Sequence, residues 1–235
     1  MHPAPARTDL VELVIPCLNE EVALPALLAS VPPAWAVIVV DNGSRDNTAE
    51  VARRAGALVV HEPRPGYGAA VHRGLGAATR DIVVVLDGDG SIRPVDLRAM
   101  VEEVVAGRAD LCCGTRQPVA RSAWPRHAQA GNRVLAATLS LVLGLDLHDI
   151  APVRVARRTA LLELGVTDRR FGYPLETLLR ARARGWVISE HPIPYHPRNG
   201  GQSKVTGSIR GTLRALRDFA GVLVANRNLL GRRTT

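Results

Sequence analysis

The sequence predicts an α/β fold, a doubly wound and mostly parallel sheet. Short runs rich in Val and Ile recur at residues 10–15, 35–40, 57–61, 82–86 and 110–114, each of strand length and apolar enough to be buried on both faces. Stretches of helical length and periodicity stand between them, and that alternation calls for crossovers returning each strand parallel to the last. Polar loops follow the strands: PCLNEE, DNGSRDNT, PRPGYGAA and DGDGS. In such a sheet they gather on one edge, where ligands bind beyond the carboxyl ends of the strands.

Taken in order, Pro16 closes the first strand and a helix follows at residues 22–30. After the second strand, Asn47 and Glu50 have the spacing of a capping box for the next helix. The third strand is short, and PRPGYGAA leads from it into a helix reaching residue 78. Pro94 opens a helix to about residue 106, ahead of the fifth strand. Beyond Thr115 one or two helices are expected over 123–145, strands at 152–155 and 186–189, helices at 160–164 and 174–183, and a last amphipathic helix at about 208–225. The basic loop 191–204 precedes that helix. The chain divides into halves, 1–115 and 116–235, within one catalytic domain.

The fourth strand ends in Asp87 and Asp89, separated and followed by Gly88 and Gly90. Two carboxylates this close repel one another unless a cation or a shared proton relieves them. Mg²⁺ typically takes one or two carboxylates and completes its shell with phosphate oxygens and water. A plain Asp-Gly turn leaving a core strand is the competing interpretation. An EF-hand is excluded, because Ile92 and Arg98 stand where Gly and Glu are required.

With 46% hydrophobic residues but 3% aromatic ones, the core must be built from Val, Leu, Ile and Ala. The three cysteines, Cys17, Cys112 and Cys113, lie in apolar strand contexts without metal-ligand spacing, which predicts reduced buried thiols. Residues 1–115 carry ten Arg and fifteen acids, a net −5, whereas residues 116–235 carry a net +13. An acidic half able to hold a metal is joined to a basic half suited to phosphates or an anionic surface. Nucleic acid is disfavoured as a partner, since no basic run is interleaved with aromatic residues. No leader pattern opens the chain, and the apolar run 134–145 is too short to span a bilayer. These features predict a cytoplasmic protein whose membrane contact, if any, is peripheral and at the inner face.

VIPCLNEE, VVDNGSRDNTAEVA, PGYGAAVHRGL and VVLDGDGS, in that order and spacing, resemble the nucleotide-sugar domain of family 2 glycosyltransferases of the A-type fold. The branch it looks most like is that of polyprenyl-phosphate sugar synthases, which HDIAPVRVARR, FGYPLETLLRARARG and HPRNGGQSK match more loosely. The resemblance implies a UDP- or GDP-sugar donor, Mg²⁺ or Mn²⁺ as cofactor, and inversion at the anomeric carbon. It implies that Pro16, Leu18, Asn19 and Glu20 line the base pocket, and that Asp41 meets the base or ribose. Gly66, Gly68, Ala69 and Gly88 are implied on the donor side, Asp87 on the sugar or metal, and Asp89 as the firmest metal ligand. Ser91, the implied third ligand, stands where that branch usually has Gln.

The physical demands agree. A departing nucleoside diphosphate needs its developing charge stabilised, and Arg198 and Lys204 of the basic loop are the candidates to share that task with a metal. Lys204 is the only lysine beside 29 arginines, and it lies in the glycine-rich stretch RNGGQSK, suited to wrap a phosphate. A hydroxyl acceptor needs a general base, for which Asp149 and Glu176 are the candidates, although Glu176 is equally suited to a helix-surface ion pair. A polyprenyl phosphate acceptor is already ionised and needs only cations, which Arg116, Arg121, Arg126 and Arg133 offer. The run 134–145 would then lie in the membrane interface or serve as a core helix.

His191 and His196 flank Pro-Ile-Pro-Tyr and suit a rigid surface strand better than a metal pair. Gly66-Tyr-Gly68 lacks the third glycine of a dinucleotide fingerprint, and no G-x-S-x-G elbow supports a hydrolase. Two rivals to the glycosyltransferase remain. One is a nucleotidyltransferase on a similar sheet, disfavoured by the acidic loop after the first strand. The other is a non-catalytic module at an anionic membrane surface.

Overall fold

The computed structural model describes residues 10–144, 146–150, 152–199 and 209–229. Seven strands form one sheet: β1 (Val11–Cys17), β2 (Ala36–Asp41), β3 (Leu58–His61), β4 (Ile82–Leu86), β5 (Leu111–Pro118), β6 (Val153–Arg157) and β7 (Ile188–Tyr195). Their order across the sheet is β3-β2-β1-β4-β6-β5-β7. β3, β2, β1 and β4 are parallel, while β6 runs antiparallel between β4 and β5 and pairs Val85 with Arg154. β7 lies parallel to β5 at the far edge, from Leu111 opposite Ile188 to Pro118 opposite Tyr195.

Both faces of the central strands are covered, which explains why they read as unbroken apolar runs rather than alternating ones. Along β1, Val14 enters one core with Val40, Val83 and Leu75, whereas Leu13 and Ile15 enter the other with Leu24, Leu86 and Met100. Each such Leu or Ile, fully withdrawn from water, contributes about 1.5–3 kcal/mol. Cys17, Cys112 and Cys113 form no disulfide and are buried among these side chains.

The helices are α1 (Leu24–Ala29), α2 (Thr48–Arg54), α3 (Tyr67–Ala77), α4 (Arg98–Val105), α5 (Arg126–Leu143), α6 (Arg158–Glu163), α7 (Tyr173–Ala183) and α8 (Ile209–Ala225). The capping box expected at α2 does not form. Asn47 makes no side-chain cap. Its amide donates instead to Glu21 Oε2 at 3.1 Å, and Asp46 Oδ1 accepts the Thr48 N–H at 3.1 Å. Long-range partners from the loop after β1 have displaced the local motif. Pro94 opens a single 3-10 turn, Pro94–Leu97, before α4 begins.

α5 is one helix that ends where Gly144 adopts φ 62°. It buries Ala136 and Leu139 yet leaves Val134 69% and Leu141 87% exposed. Among the described residues no helix is long and apolar enough to cross a membrane. Strands from both halves share the sheet, and β5 runs across residue 115.

The chain travels outward from β1 to β2 and β3, then returns to place β4 on the other side of β1. That reversal opens a crevice at the carboxyl ends of β1 and β4. The loops beginning at Leu18 and Asp87 meet there.

Candidate active site

β4 carries its chain straight from the core to Asp87, so the carboxylates emerge at the crevice. Gly88 is required by close approach, because a Cβ there would lie 2.6 Å from Cys17 Sγ at the end of β1. The two loops are thereby pressed together. Asp89 is 5% exposed, and its Oδ1 accepts the Ser91 N–H at 2.9 Å. Arg198, from the basic loop after β7, places Nη2 3.1 Å from Asp89 Oδ2 and 4.0 Å from Glu20 Oε1. The same loop is stitched to the acidic one by His196 N–H to the Ser91 carbonyl at 2.8 Å and Asn199 N–H to the Asp89 carbonyl at 3.3 Å.

Burial, and then the charge of Asp89, push the Asp87 carboxyl up to about 7, against the pull of Arg154, Arg198 and Arg116. A carboxylate pair in this state accommodates a divalent cation well. Among the described residues no three His, Cys, Asp or Glu cluster as a complete metal site. Asp87 and Asp89 together with phosphate oxygens and water nonetheless form a donor set that suits Mg²⁺ or Mn²⁺. Ser91, the third ligand the resemblance implies, is 2% exposed.

The loop after β1 forms the neighbouring wall. Asn19 takes up φ 56°, donates its N–H to Ser44 Oγ at 3.0 Å and accepts the Arg45 N–H at 2.7 Å. Pro16 does not close β1 but pairs opposite Val40, one residue before the strand ends at Cys17 opposite Asp41; half-buried Leu18 follows, and the Glu20 N–H donates to Thr48 Oγ1 at 2.9 Å. Asp41, at the end of β2, accepts the Ser44 N–H at 2.9 Å and lies 3.1 Å from His61 Nδ1. These side chains brace one another across the carboxyl ends of β1 and β2.

Gly66, Gly68 and Ala69 prove to be packing positions. A Cβ at Gly66 would meet the Arg169 carbonyl oxygen at 2.2 Å, and one at Gly68 would meet that of Asp168 at 2.7 Å. Their N–H groups donate inward: Gly66 to Asn42 Oδ1, Gly68 to the Arg170 carbonyl and Ala69 to the Arg169 carbonyl. No phosphate is needed to satisfy them.

Neither candidate base is available for proton transfer. Glu176 is 1% exposed and accepts the N–H groups of Thr167 and Asp168, the Thr167 hydroxyl and Arg180 Nε. Burial opposes its ionisation, but these donors outweigh it and hold the carboxyl below its ordinary range. Its work is to fix the 167–170 segment against which α3 packs. Asp149, 3% exposed, is gripped by Arg116 through Nη2 at 2.5 Å and Nε at 2.9 Å. Arg116 also stacks 3.9 Å above the Trp124 ring. It therefore leaves the set of free cations, whereas Arg121, Arg126 and Arg133 are exposed. Lys204 lies outside the described residues.

Two features at the crevice escaped the sequence. Tyr67, the first residue of α3, is half-buried near Asp87, and burial, then the charge of that carboxylate, push its phenol above the ordinary range. Arg154 rises from β6 beside Val85, 4% exposed, with Nε and Nη2 unpartnered. An arginine inside VRVAR carries no signal of its position, which the antiparallel insertion of β6 alone determines.

The arrangement has relatives. The family model for glycosyl transferase family 2 matches residues 12–165. An uncharacterized glycosyltransferase of Mycobacterium tuberculosis is 55% identical over 215 residues, covering 92% of this chain and 98% of that protein. A dolichyl-phosphate hexose transferase of Haloferax volcanii is 33% identical, covering 82% of this chain and 85% of the relative. The polyprenol monophosphomannose synthase of Mycolicibacterium smegmatis is 30% identical, covering 88% and 85%. Among solved structures, glucosyl-3-phosphoglycerate synthase of Mycobacterium tuberculosis, in complex with Mn²⁺, UDP-glucose and phosphoglyceric acid, superposes with a TM-score of 0.74 at 23% identity, covering 93% of this chain and 79% of that one. That likeness shows a shared A-type fold, and the sequence matches show the lineage: this chain belongs to glycosyltransferase family 2.

Proposed function

We propose that this chain transfers a sugar from a UDP- or GDP-sugar to a polyprenyl phosphate, with inversion, aided by Mg²⁺ or Mn²⁺ at Asp87 and Asp89. The observation that carries this reading is the seat of Arg198 on Asp89, 3.1 Å away and 4.0 Å from Glu20. A guanidinium from the basic half already rests on the acidic rim, where a diphosphate bridged to a cation would be gripped from both sides.

When bound, the metal supplies positive charge for the departing diphosphate. The remaining work belongs to the chain. Pro16, Leu18, Asn19 and Glu20 wall the base pocket, and Asp41 orients the base or ribose. Asp87 accepts hydrogen bonds from the sugar. Asp87 and Asp89 would hold the cation, which would supply positive charge there, while Arg198 and Lys204 would pair with the diphosphate oxygens. Residues 1–115 would hold the nucleotide, sugar and metal, and 116–235 would receive the acceptor and lend Arg198 and Lys204 to the diphosphate.

The commitment of Asp149 and Glu176 to internal partners favours an acceptor that needs no general base. A phosphate is such an acceptor at neutral pH, and exposed Arg121, Arg126 and Arg133 are placed to attract it. Two of the relatives are named a dolichyl-phosphate hexose transferase and a polyprenol monophosphomannose synthase. Contact with a membrane is then peripheral, at its inner face, through the exposed side of α5.

The test is nucleoside diphosphate release from UDP-glucose and GDP-mannose with Mn²⁺, with and without a short-chain polyprenyl phosphate. Release that depends on the phosphate is expected. Equal release with the unphosphorylated polyprenol would move the reading to a hydroxyl acceptor. Pyrophosphate release from a nucleoside triphosphate would favour a nucleotidyltransferase, and silence from folded protein a non-catalytic module.

A further inference from the structure

Asp41 is anchored at both carboxylate oxygens. Oδ1 accepts the Ser44 N–H at 2.9 Å, and Oδ2 lies 3.1 Å from His61 Nδ1. Asp41 and His61 stand opposite one another at the ends of β2 and β3. The chain beyond them holds that juxtaposition: the Glu62 N–H donates to the Asp41 carbonyl at 3.0 Å, and the Asn42 amide donates to the carbonyls of Glu62 and Arg64, each at 2.8 Å. On the far side of the imidazole, Nε2 lies 3.3 Å from Arg53 Nη2 of α2. A guanidinium can only donate, so Nε2 accepts and the ring proton is left on Nδ1, next to the carboxylate. Arg53 thereby selects the tautomer in which His61 donates to Asp41. The His61 side chain is 61% exposed whereas that of Asp41 is 8% exposed, so the ring contributes little as packing and its contact with Asp41 is its main bond to the fold. Each carboxylate oxygen can accept more than one hydrogen bond, and the anchoring donors use one on each side.

We propose that His61 is a positioning residue for the donor nucleoside: its Nδ1–H fixes the Asp41 carboxylate, whose remaining lone pairs accept hydrogen bonds from the base or ribose. This inference rests on the function proposed above, which puts Asp41 at the base or ribose. It carries the nucleoside site beyond the loop after β1 to the end of β3 and, through Arg53, to α2. A carboxylate already held in one orientation spares the ordering cost that a free one would meet when the ligand arrives.

The experiment titrates UDP, GDP and inorganic pyrophosphate, each with Mn²⁺, into wild type and variants. The readout is the gain in affinity of the nucleoside diphosphate over pyrophosphate, which isolates the nucleoside's share. In His61→Leu that gain should fall about fivefold or more while pyrophosphate binds within about twofold of wild type. His61→Asn, whose amide nitrogen can stand where Nδ1 stood, should restore most of the gain; His61→Gln, whose amide nitrogen reaches instead toward the Nε2 position, should not. A merely structural role for the ring would not separate these two amides. The full gain in folded His61→Leu, or equal rescue by His61→Asn and His61→Gln, overturns the proposal and leaves the glycosyltransferase reading intact. Should His61→Leu not fold, Arg53→Met decides: it keeps the ring, frees the tautomer and should lose part of the same gain, and full retention there overturns the proposal. Failure of the wild type to bind either UDP or GDP overturns both.

Discussion

At the residue scale, chemistry announced by spacing was legible and chemistry set by register was not. Asp87 and Asp89 stood out because two acids at the end of an apolar strand, spaced by glycines, bring together like charges that need a cation or a shared proton. Asp149 and Glu176 stood out as isolated acids in a basic half, yet their partners, Arg116 and the 167–168 backbone, come from elsewhere in the fold. Isolation in sequence did not mean freedom in space. The raised Asp87 carboxyl gives a signed prediction. The fold keeps its proton up to about 7, whereas the unfolded chain releases it near 3.8. Between these values the folded state binds the extra proton, so Asp87 makes stability fall as pH rises through that window and adds no further slope above it. Comparing metal-free wild type with Asp87→Asn by thermal melting, the variant should gain on wild type between about pH 4 and about pH 7. Parallel melting curves across that range would show that the carboxyl is not perturbed.

At the element scale, all seven expected strands are present, because strands buried on both faces leave the strongest pattern a sequence can carry. The antiparallel direction of β6 left no trace, since an apolar run reads the same in either direction. The capping box fails for a related reason: its pattern involves only neighbours in sequence, whereas Glu21 reaches Asn47 from the β1 loop. The resemblance implies Gly66 and Gly68 on the donor side, and in the fold these two glycines allow α3 to pack on the 168–170 backbone. Gly68→Ala should therefore destabilise the protein by on the order of 2 kcal/mol, lowering the melting temperature by about 4–8 °C. Gly76→Ala on the same helix, where an added Cβ meets nothing within 4 Å, should instead raise stability by about 0.5–1 kcal/mol. Equal effects at the two positions would contradict the packing role.

At the scale of the whole molecule, the charge asymmetry between the halves, −5 against +13, was the earliest sign that an acidic rim would face a basic lobe. The sheet order explains why they meet. β4 delivers the carboxylates beside β1, and β7 sends its following loop back across them, so that Arg198 reaches Asp89 from more than a hundred residues away. Sequence spacing cannot express that closure. On the function proposed above, donor binding would depend on a divalent cation held at Asp89. Calorimetric titration of UDP and GDP, with and without Mn²⁺, into wild type and Asp89→Asn tests it most directly. Mn²⁺ should strengthen binding of one nucleotide at least tenfold in wild type, and that gain should vanish in an Asp89→Asn protein of unchanged melting temperature. A full Mn²⁺ gain surviving in Asp89→Asn, or none in wild type, would contradict the cation bridge.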